Sequence, residues 1–386
     1  QLFDILFCHL VKYFSNVSDK YTFIKIMTLK RISRLYIIIG KNFGSWISPV
    51  FTGILIFFLR LFVGAGRYID RILYGALNKP LSEPIVIVGN PRSGTTFLHR
   101  FLIKQNIGSG SQLWQMIYPS ITIQKLMKPF LPVLEKISPA RHHSTKAHKT
   151  SLTSVETDDV SLLFRYLDGF FFYGFFLTFD EEDLFHWVDP KIRNTSARDF
   201  AWFDSMWKRN LLYNNGNRYI GKLFSLSSNL PLFQKKFPDA KILYMIRDPL
   251  QVIPSGLSLV TGVLDKRFHF WSLDESIKKR FIERLYRALV ELLIRFHEDW
   301  ENGNINKEKV FIIRFDSMMN EFDILMDELL GFLDVEKNDE LIRKIKQTSE
   351  DQKQYKSGHK YDLKKFDLTE NIIRNDCKKI YDTFLQ

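Results

Sequence analysis

An arginine, a serine and two threonines crowd into Arg92-Ser93-Gly94-Thr95-Thr96, a few residues behind the apolar run Ile85-Val86-Ile87-Val88. That run is uninterrupted, β-branched and closed by Gly89, which reads as a fully buried strand. Gly89-Asn90-Pro91-Arg92-Ser93-Gly94 is rich in turn formers. From Thr95 onward, Phe97, Leu98, Phe101 and Leu102 recur at helical spacing. A strand, a glycine-bounded loop and a helix in that order gather backbone N–H groups and the positive end of a helix dipole around one small volume. Such a volume suits a phosphate, with the Arg92 guanidinium and the Ser93, Thr95 and Thr96 hydroxyls as further donors.

The spacing from Gly89 to Gly94 is that of a nucleotide triphosphate loop, but Thr95 stands where such a loop carries the lysine that reaches the β- and γ-phosphates. This argues against γ-phosphate chemistry and leaves Arg92 as the cation. A second apolar run, Lys241-Ile242-Leu243-Tyr244-Met245-Ile246, ends in Arg247-Asp248-Pro249, and Ser255 follows in the next helical segment. A guanidinium and a hydroxyl together can grip a dianionic phosphate. Between the two lies a polar loop, 141–159, holding His142, His143 and His148, then Glu156, Asp158 and Asp159. His148 and Glu156 are candidates for a proton acceptor beside a phosphate site, although surface loops also carry such residues as solvated groups.

The stretch Pro91-Arg92-Ser93-Gly94-Thr95-Thr96 behind a hydrophobic strand resembles the 5′-phosphosulfate loop of sulfotransferases that use 3′-phosphoadenosine 5′-phosphosulfate (PAPS). Arg247 with Ser255 resembles the 3′-phosphate site of the same family. Lys356-Ser357-Gly358-His359-Lys360-Tyr361 resembles its C-terminal cofactor loop, and His148 followed by Glu156 and the acidic pair resembles its histidine–carboxylate arrangement. The resemblance runs from Ile85 to the C-terminus. It implies that PAPS is co-substrate without a metal, held by Arg92, Ser93, Gly94, Thr95, Thr96, Arg247, Ser255 and Lys360. It also implies sulfuryl transfer to a hydroxyl or amine, with Arg92, His148 and Glu156 catalytic. The pattern departs at Lys222, where Leu223 and Phe224 replace the Ser-Pro pair common in the family and the following loop lacks a histidine. Roles in that segment therefore do not carry over.

Apolar runs alternating with helical segments imply an α/β fold with a central parallel sheet and ligands at the carboxyl ends of its strands. The resemblance specifies a P-loop-like, three-layer version. At 386 residues, with 45% hydrophobic and 15% aromatic, the chain suits one large domain with a helical extension and excludes disorder and a coiled coil. We divide it into an extension over 1–80 and a catalytic domain over 81–386. Val310-Phe311-Ile312-Ile313-Arg314-Phe315 reads as a further strand, and Arg218 to Leu223 as a strand end. Helices are expected at Asp199–Tyr213, Leu230–Phe237, Ser276–Trp300, Asp316–Leu333 and Asp376–Phe384.

The formal net charge of +12 is concentrated in the first 80 residues, which hold 11 Lys and Arg against 3 Asp and no Glu. Coinciding apolar runs make an anionic membrane surface a better partner for this charge than nucleic acid, although solvated basic faces give the same balance. From Ile47 to Val63 the chain is apolar nearly all round. Its uninterrupted core, Gly53–Leu59, is too short to cross a bilayer, so a buried or interfacial helix is favoured over a span. Gly64 and Gly66 should end that run, with a second helix from Arg67 to Leu77. The aromatic stretch Phe170–Phe179 could be core, the lining of a pocket for an apolar or lipid-like acceptor, or more membrane-facing surface.

Cys8 and Cys377 form no metal or disulfide framework, which points to a reducing, cytoplasmic setting. Sequons at Asn16 and Asn194 leave a Golgi lumen open, and the start on Gln1 leaves room for a preceding segment. Two alternatives compete with a sulfotransferase: a P-loop kinase or NTPase using magnesium and ATP, and a membrane-associated protein that binds PAPS or its desulfated product without catalysis.

Overall fold

Ile85–Val88 (β1) is buried along its whole length, and such a strand must be covered on both faces. The computed structural model, which describes residues 29–138, 150–354 and 362–386, places β1 inside a four-stranded parallel sheet. The order is β2-β1-β3-β4, with β2 at Ile220–Lys222, β3 at Lys241–Ile246 and β4 at Val310–Arg314. Ile87 stands opposite Lys222 on one side and Leu243 on the other, so the loops after β1, β2 and β3 emerge together.

The principal helices are α1 (Ser48–Leu73), α2 (Thr95–Lys104), α3 (Val160–Tyr166), α4 (Phe170–Phe175), α5 (Ser196–Tyr213), α6 (Pro249–Phe268), α7 (Glu275–Glu301) and α8 (Phe322–Phe332). Alternation along the strands sends Ile85, Ile87, Leu243 and Met245 to a core formed with Leu98, Leu102, Phe322 and Leu329. Val86, Val88, Ile242 and Tyr244 face the larger core, with Trp207, Leu289 and Phe296. Helices on both faces of a parallel sheet give the three layers expected, with the sheet's carboxyl edge left for a site.

The apolar run at 47–63 behaves differently from expectation. Gly64 and Gly66 do not end it: α1 continues through both to Leu73, and Gly75–Asn78 is a 3₁₀ turn, so the separate helix from Arg67 to Leu77 does not form. Gly66 serves close approach instead, since a Cβ there would lie 2.3 Å from Ile123 Cγ1 and 2.6 Å from Ser120 Oγ. Nor is this a core helix, because Val63, Gly66 and Asp70 are its buried residues.

Asp70 is the anchor. Its carboxylate accepts from Ile121 N, Thr122 N, Thr122 Oγ1 and Arg209 Nε at 3.0, 2.9, 2.8 and 3.0 Å. The helical residues 29–43 are tied down similarly, Arg31 pairing with buried Asp168 at 3.2 Å and Arg34 with Asp180 at 2.8 Å.

The strand expected at Lys241–Ile246 has those bounds, whereas β4 stops at Arg314 because Phe315 already begins a short helix. The helix expected over Asp316–Leu333 breaks at Glu321, between Phe315–Asn320 and α8. The C-terminal one breaks at Cys377, between Glu370–Asp376 and Lys378–Phe384. Both breaks let short helices turn apolar faces, Met318 and Phe322 in one case and Ile373 and Ile380 in the other, into the two cores. In the aromatic stretch, Phe172, Tyr173 and Phe179 are core, while Phe170, Phe171, Phe175 and Phe176 are half-buried. None of its residues is exposed, so this stretch is not an outward-facing lipid surface.

Candidate active site

The loop leaves β1 at Gly89 with φ +129°, where a Cβ would lie 2.3 Å from the Met245 carbonyl oxygen on β3, so only glycine fits. Ser93 then folds back, its N–H and hydroxyl donating to the Asn90 carbonyl at 3.2 and 2.7 Å. Asn90 is itself fixed by donation from Nδ2 to Leu289 O on α7 at 2.8 Å. Arg92 is held at φ +79°, a strained conformation for a non-glycine residue that costs on the order of 1–3 kcal/mol. Two contacts hold it there. Arg247 Nη1, from the end of β3, donates to Arg92 O at 2.8 Å, and Arg92 Nε donates to Ser255 Oγ on α6 at 3.0 Å. The Arg247 guanidinium lies over the Phe315 ring, 4.0 Å from its centroid, and donates to Gln251 Oε1 at 2.9 Å. Gly94 caps α2, whose first turn presents the Thr95 and Thr96 N–H groups that no intrahelical acceptor can satisfy.

β2 delivers a further cation. Lys222 Nζ donates to Thr96 Oγ1 at 3.0 Å from a buried position. Burial lowers the Lys222 pKa and Arg100 adds to this, while Glu156, Asp158 and Asp159 oppose it. The acidic segment runs beneath the ammonium. Asp158 accepts from Lys222 N at 3.0 Å and from the Tyr219 hydroxyl at 2.9 Å, and its own N–H donates to Lys222 O at 2.9 Å. Burial pushes its carboxyl up to about 7. Asp159 accepts from Phe224 N at 2.8 Å, from Thr157 Oγ1 at 2.7 Å and from Ser225 Oγ, and burial raises it as well. Glu156 accepts at Oε1 from Ser154 Oγ at 2.8 Å and pairs with Arg100 Nη2 at 3.4 Å.

His99, one turn into α2, lies fully buried with Nε2 3.0 Å from Ile220 O. A carbonyl only accepts, so Nε2 carries the proton. Burial, with Lys222 beside it, pushes this histidine down to about 3. It is a neutral packing group.

The sulfotransferase family profile matches residues 84–339, about two thirds of the chain, spanning all four strands and the loop. The chain belongs to the sulfotransferase family. Among curated proteins, this sulfotransferase is 22% identical over 281 residues to the omega-hydroxy-beta-dihydromenaquinone-9 sulfotransferase Stf3 of Mycobacterium bovis, covering 66% of this chain and 69% of that one. Its fold is that of the sulfotransferases STF1 from Mycobacterium tuberculosis H37Rv and STF9 from Mycobacterium avium. For STF1 the TM-score is 0.63 at 15% identity, over 90% of this chain and 91% of that one. For STF9 it is 0.62 at 18% identity, over 83% and 81%. The kinase and the non-catalytic readings are not favoured.

The fold of this sulfotransferase brings Arg92, Ser93, Gly94, Thr95, Thr96, Arg247 and Ser255 to one edge of the sheet, with Glu156 close to Lys222. His148, His359 and Lys360 lie outside the described residues. The residues fit a ligand with two anionic ends: Thr95, Thr96 and Lys222 offer donors at one end, and Arg247 and Ser255, both bonded to Arg92, at the other. Sequence reasoning passed over the pairing of Lys222 with Thr96 and the bracing of Lys222 and Phe224 by Asp158 and Asp159. The signal available was a lysine closing a short apolar strand, Tyr219-Ile220-Gly221-Lys222, which by itself is a common pattern.

Proposed function

We propose that this sulfotransferase takes its sulfuryl group from PAPS and passes it to a hydroxyl on a lipid-like acceptor. The contact of Arg247 with the Arg92 carbonyl at 2.8 Å carries this reading, because it joins the loop behind β1 to the end of β3 as one anion-binding surface. When bound, PAPS supplies a sulfuryl group joined to a phosphate leaving group. The Thr95 and Thr96 N–H groups and hydroxyls, with Lys222, bind its 5′ end and hold negative charge there. Arg247 and Ser255 bind the 3′-phosphate. Arg92 is tied to both, so its guanidinium is oriented before ligand arrives. Glu156 accepts the acceptor's hydroxyl proton at its carboxylate, which Arg100 and Ser154 orient through Oε1. Asp158 and Asp159 are positioning residues: they hold the backbone of Lys222 and Phe224 and keep the ammonium aimed at Thr96.

Two observations support an apolar acceptor. The rings of Phe170 and Phe171 each lie 5.4 Å from that of Phe224, next in the chain after Lys222-Leu223, so half-buried aromatics flank the proposed site. The mycobacterial relative, by its name, acts on a menaquinone derivative.

The test is transfer of radiolabelled sulfate from PAPS to a panel of hydroxylated prenyl and sterol lipids, water-soluble phenols and glycans. Label on the lipids is expected, and Glu156→Gln should lower kcat by about 100-fold or more with unchanged affinity for the desulfated cofactor. Absence of calorimetric binding of 3′-phosphoadenosine 5′-phosphate would overturn the donor, and label confined to water-soluble acceptors would overturn the acceptor class.

A further inference from the structure

α1 is anchored along only half its length. Val63, Gly66 and Asp70 are buried, and Arg60 donates from Nε and Nη2 to Phe164 O on α3 at 3.1 and 3.0 Å. Ahead of Arg60 the helix is exposed, with Phe51, Ile54, Leu55, Phe57 and Phe58 each more than half accessible. Its most apolar 18-residue window has mean hydropathy 1.9 and is only 11% buried. So much large apolar surface in water marks an interaction surface.

A second row continues it. The segment 121–137 packs on α1 through Ile123 at Gly66 and through the Asp70 bonds to Ile121 and Thr122. It exposes Leu126, Phe130, Val133 and Ile137. The exposed charges across both segments and the linker to β1 as far as Lys79 have one sign: Arg71, Lys79, Lys125, Lys128 and Lys136. The two acids there are consumed internally, Asp70 by Arg209 and its neighbours and Glu135 by the Leu152 N–H at 2.9 Å.

We infer that α1 and the segment 121–137 form a monotopic docking surface for an anionic lipid bilayer. Large apolar side chains interleaved with lysines match the leaflet boundary, where acyl chains meet anionic head groups. The geometry also excludes a span by this helix. From Arg60 onward α1 is fastened to the protein, and Phe43, five residues ahead of the helix, packs on Phe179 and Phe268, so Ser48–Leu59 is held at both ends: about 18 Å of helix against a hydrocarbon core of about 30 Å. Held at both ends, this exposed half lies along one leaflet. Docked this way, α1 brings α3, which begins one residue after Asp159, close to the membrane.

The test is flotation of the full chain with vesicles, measured without donor or acceptor, so it stands or falls independently of the proposed transfer reaction. Binding to vesicles of phosphatidylcholine with about one third phosphatidylserine is expected, weakening in pure phosphatidylcholine and at high salt. Phe51→Glu with Phe58→Glu should cut the bound fraction at least tenfold, and Lys128→Glu with Lys136→Glu should abolish the preference for the anionic lipid. All four positions are exposed, so the unfolding midpoint should not move. Leu55→Ser with Phe57→Ser is the second pair should the first disturb folding. No flotation, or variants that float like the parent, overturns the surface. A concentration-dependent dimer that ignores vesicles overturns it in favour of a second copy.

Discussion

Arg247 donates to the carbonyl oxygen of Arg92 across 2.8 Å, although 155 residues separate the two in the chain. One arginine therefore buttresses the backbone that strains the other. With Arg92 at φ +79° and its Nε on Ser255, the loop and the end of β3 behave as one unit.

Arg247→Ala should accordingly weaken 3′-phosphoadenosine 5′-phosphate more than a lost surface charge would. A hydrogen bond to a charged group is worth about 1.5–3 kcal/mol, so affinity should fall roughly 10- to 150-fold by calorimetry. Arg247→Lys keeps the charge but cannot both reach Arg92 O and lie flat over Phe315, and should recover little of it. Full recovery by lysine would refute the buttress.

Lys222→Met removes the ammonium at Thr96 while conserving the volume of a buried side chain. The fold should survive, because burying that charge already costs stability, and the unfolding midpoint should stay or rise. Transfer should fall by about 100-fold or more, as when one donor to developing charge is removed. A variant with parental kcat would remove Lys222 from the site.

Asp158 and His99 titrate with opposite sign. Burial raises the Asp158 carboxyl from 3.8 to about 7. The folded state then keeps a proton that the unfolded chain has released, and this stabilisation, complete below 3.8, is lost as pH rises through about 7. Burial lowers His99 from 6.5 to about 3, so its contribution is complete above 6.5 and is lost as pH falls toward about 3. The two trends offset each other in the shared window. Relative to the parent, Asp158→Asn should show stability rising more steeply with pH, and His99→Phe stability falling. Each difference amounts to a few kcal/mol, on the order of 1.4 kcal/mol for every tenfold change in proton affinity between the folded and unfolded chain. Urea unfolding at several pH values checks this, and curves parallel to the parent would refute it.

Asp70→Ala should cost about 3–5 kcal/mol, because it strands the buried Arg209 guanidinium and leaves the Ile121 and Thr122 N–H groups without their acceptor. Urea unfolding measures the loss. Proteolysis should then cut first within α1, and an unchanged midpoint would show that α1 is not anchored there.

What was legible in the chain alone was local. Ile85–Val88 and Lys241–Ile246 were readable as strands because a continuous β-branched or aromatic run has few other uses, and the loop because arginine, glycine and hydroxyl residues there sit within one turn of a helix start. The family resemblance rested on the same short stretches. Tertiary structure decided the rest, through contacts between residues far apart. Lys222 meets Thr96 across 126 positions because β1 and β2 pair in one register, and nothing near Lys222 in the chain records that register. Gly66 looked like a helix stop and proved to be a crossing point, since a glycine's role depends on what packs against it. Apolar periodicity could not separate a core helix from an exposed one: both are apolar, and only the position of α1 relative to Asp70, Arg60 and the body shows that most of its side chains face outward.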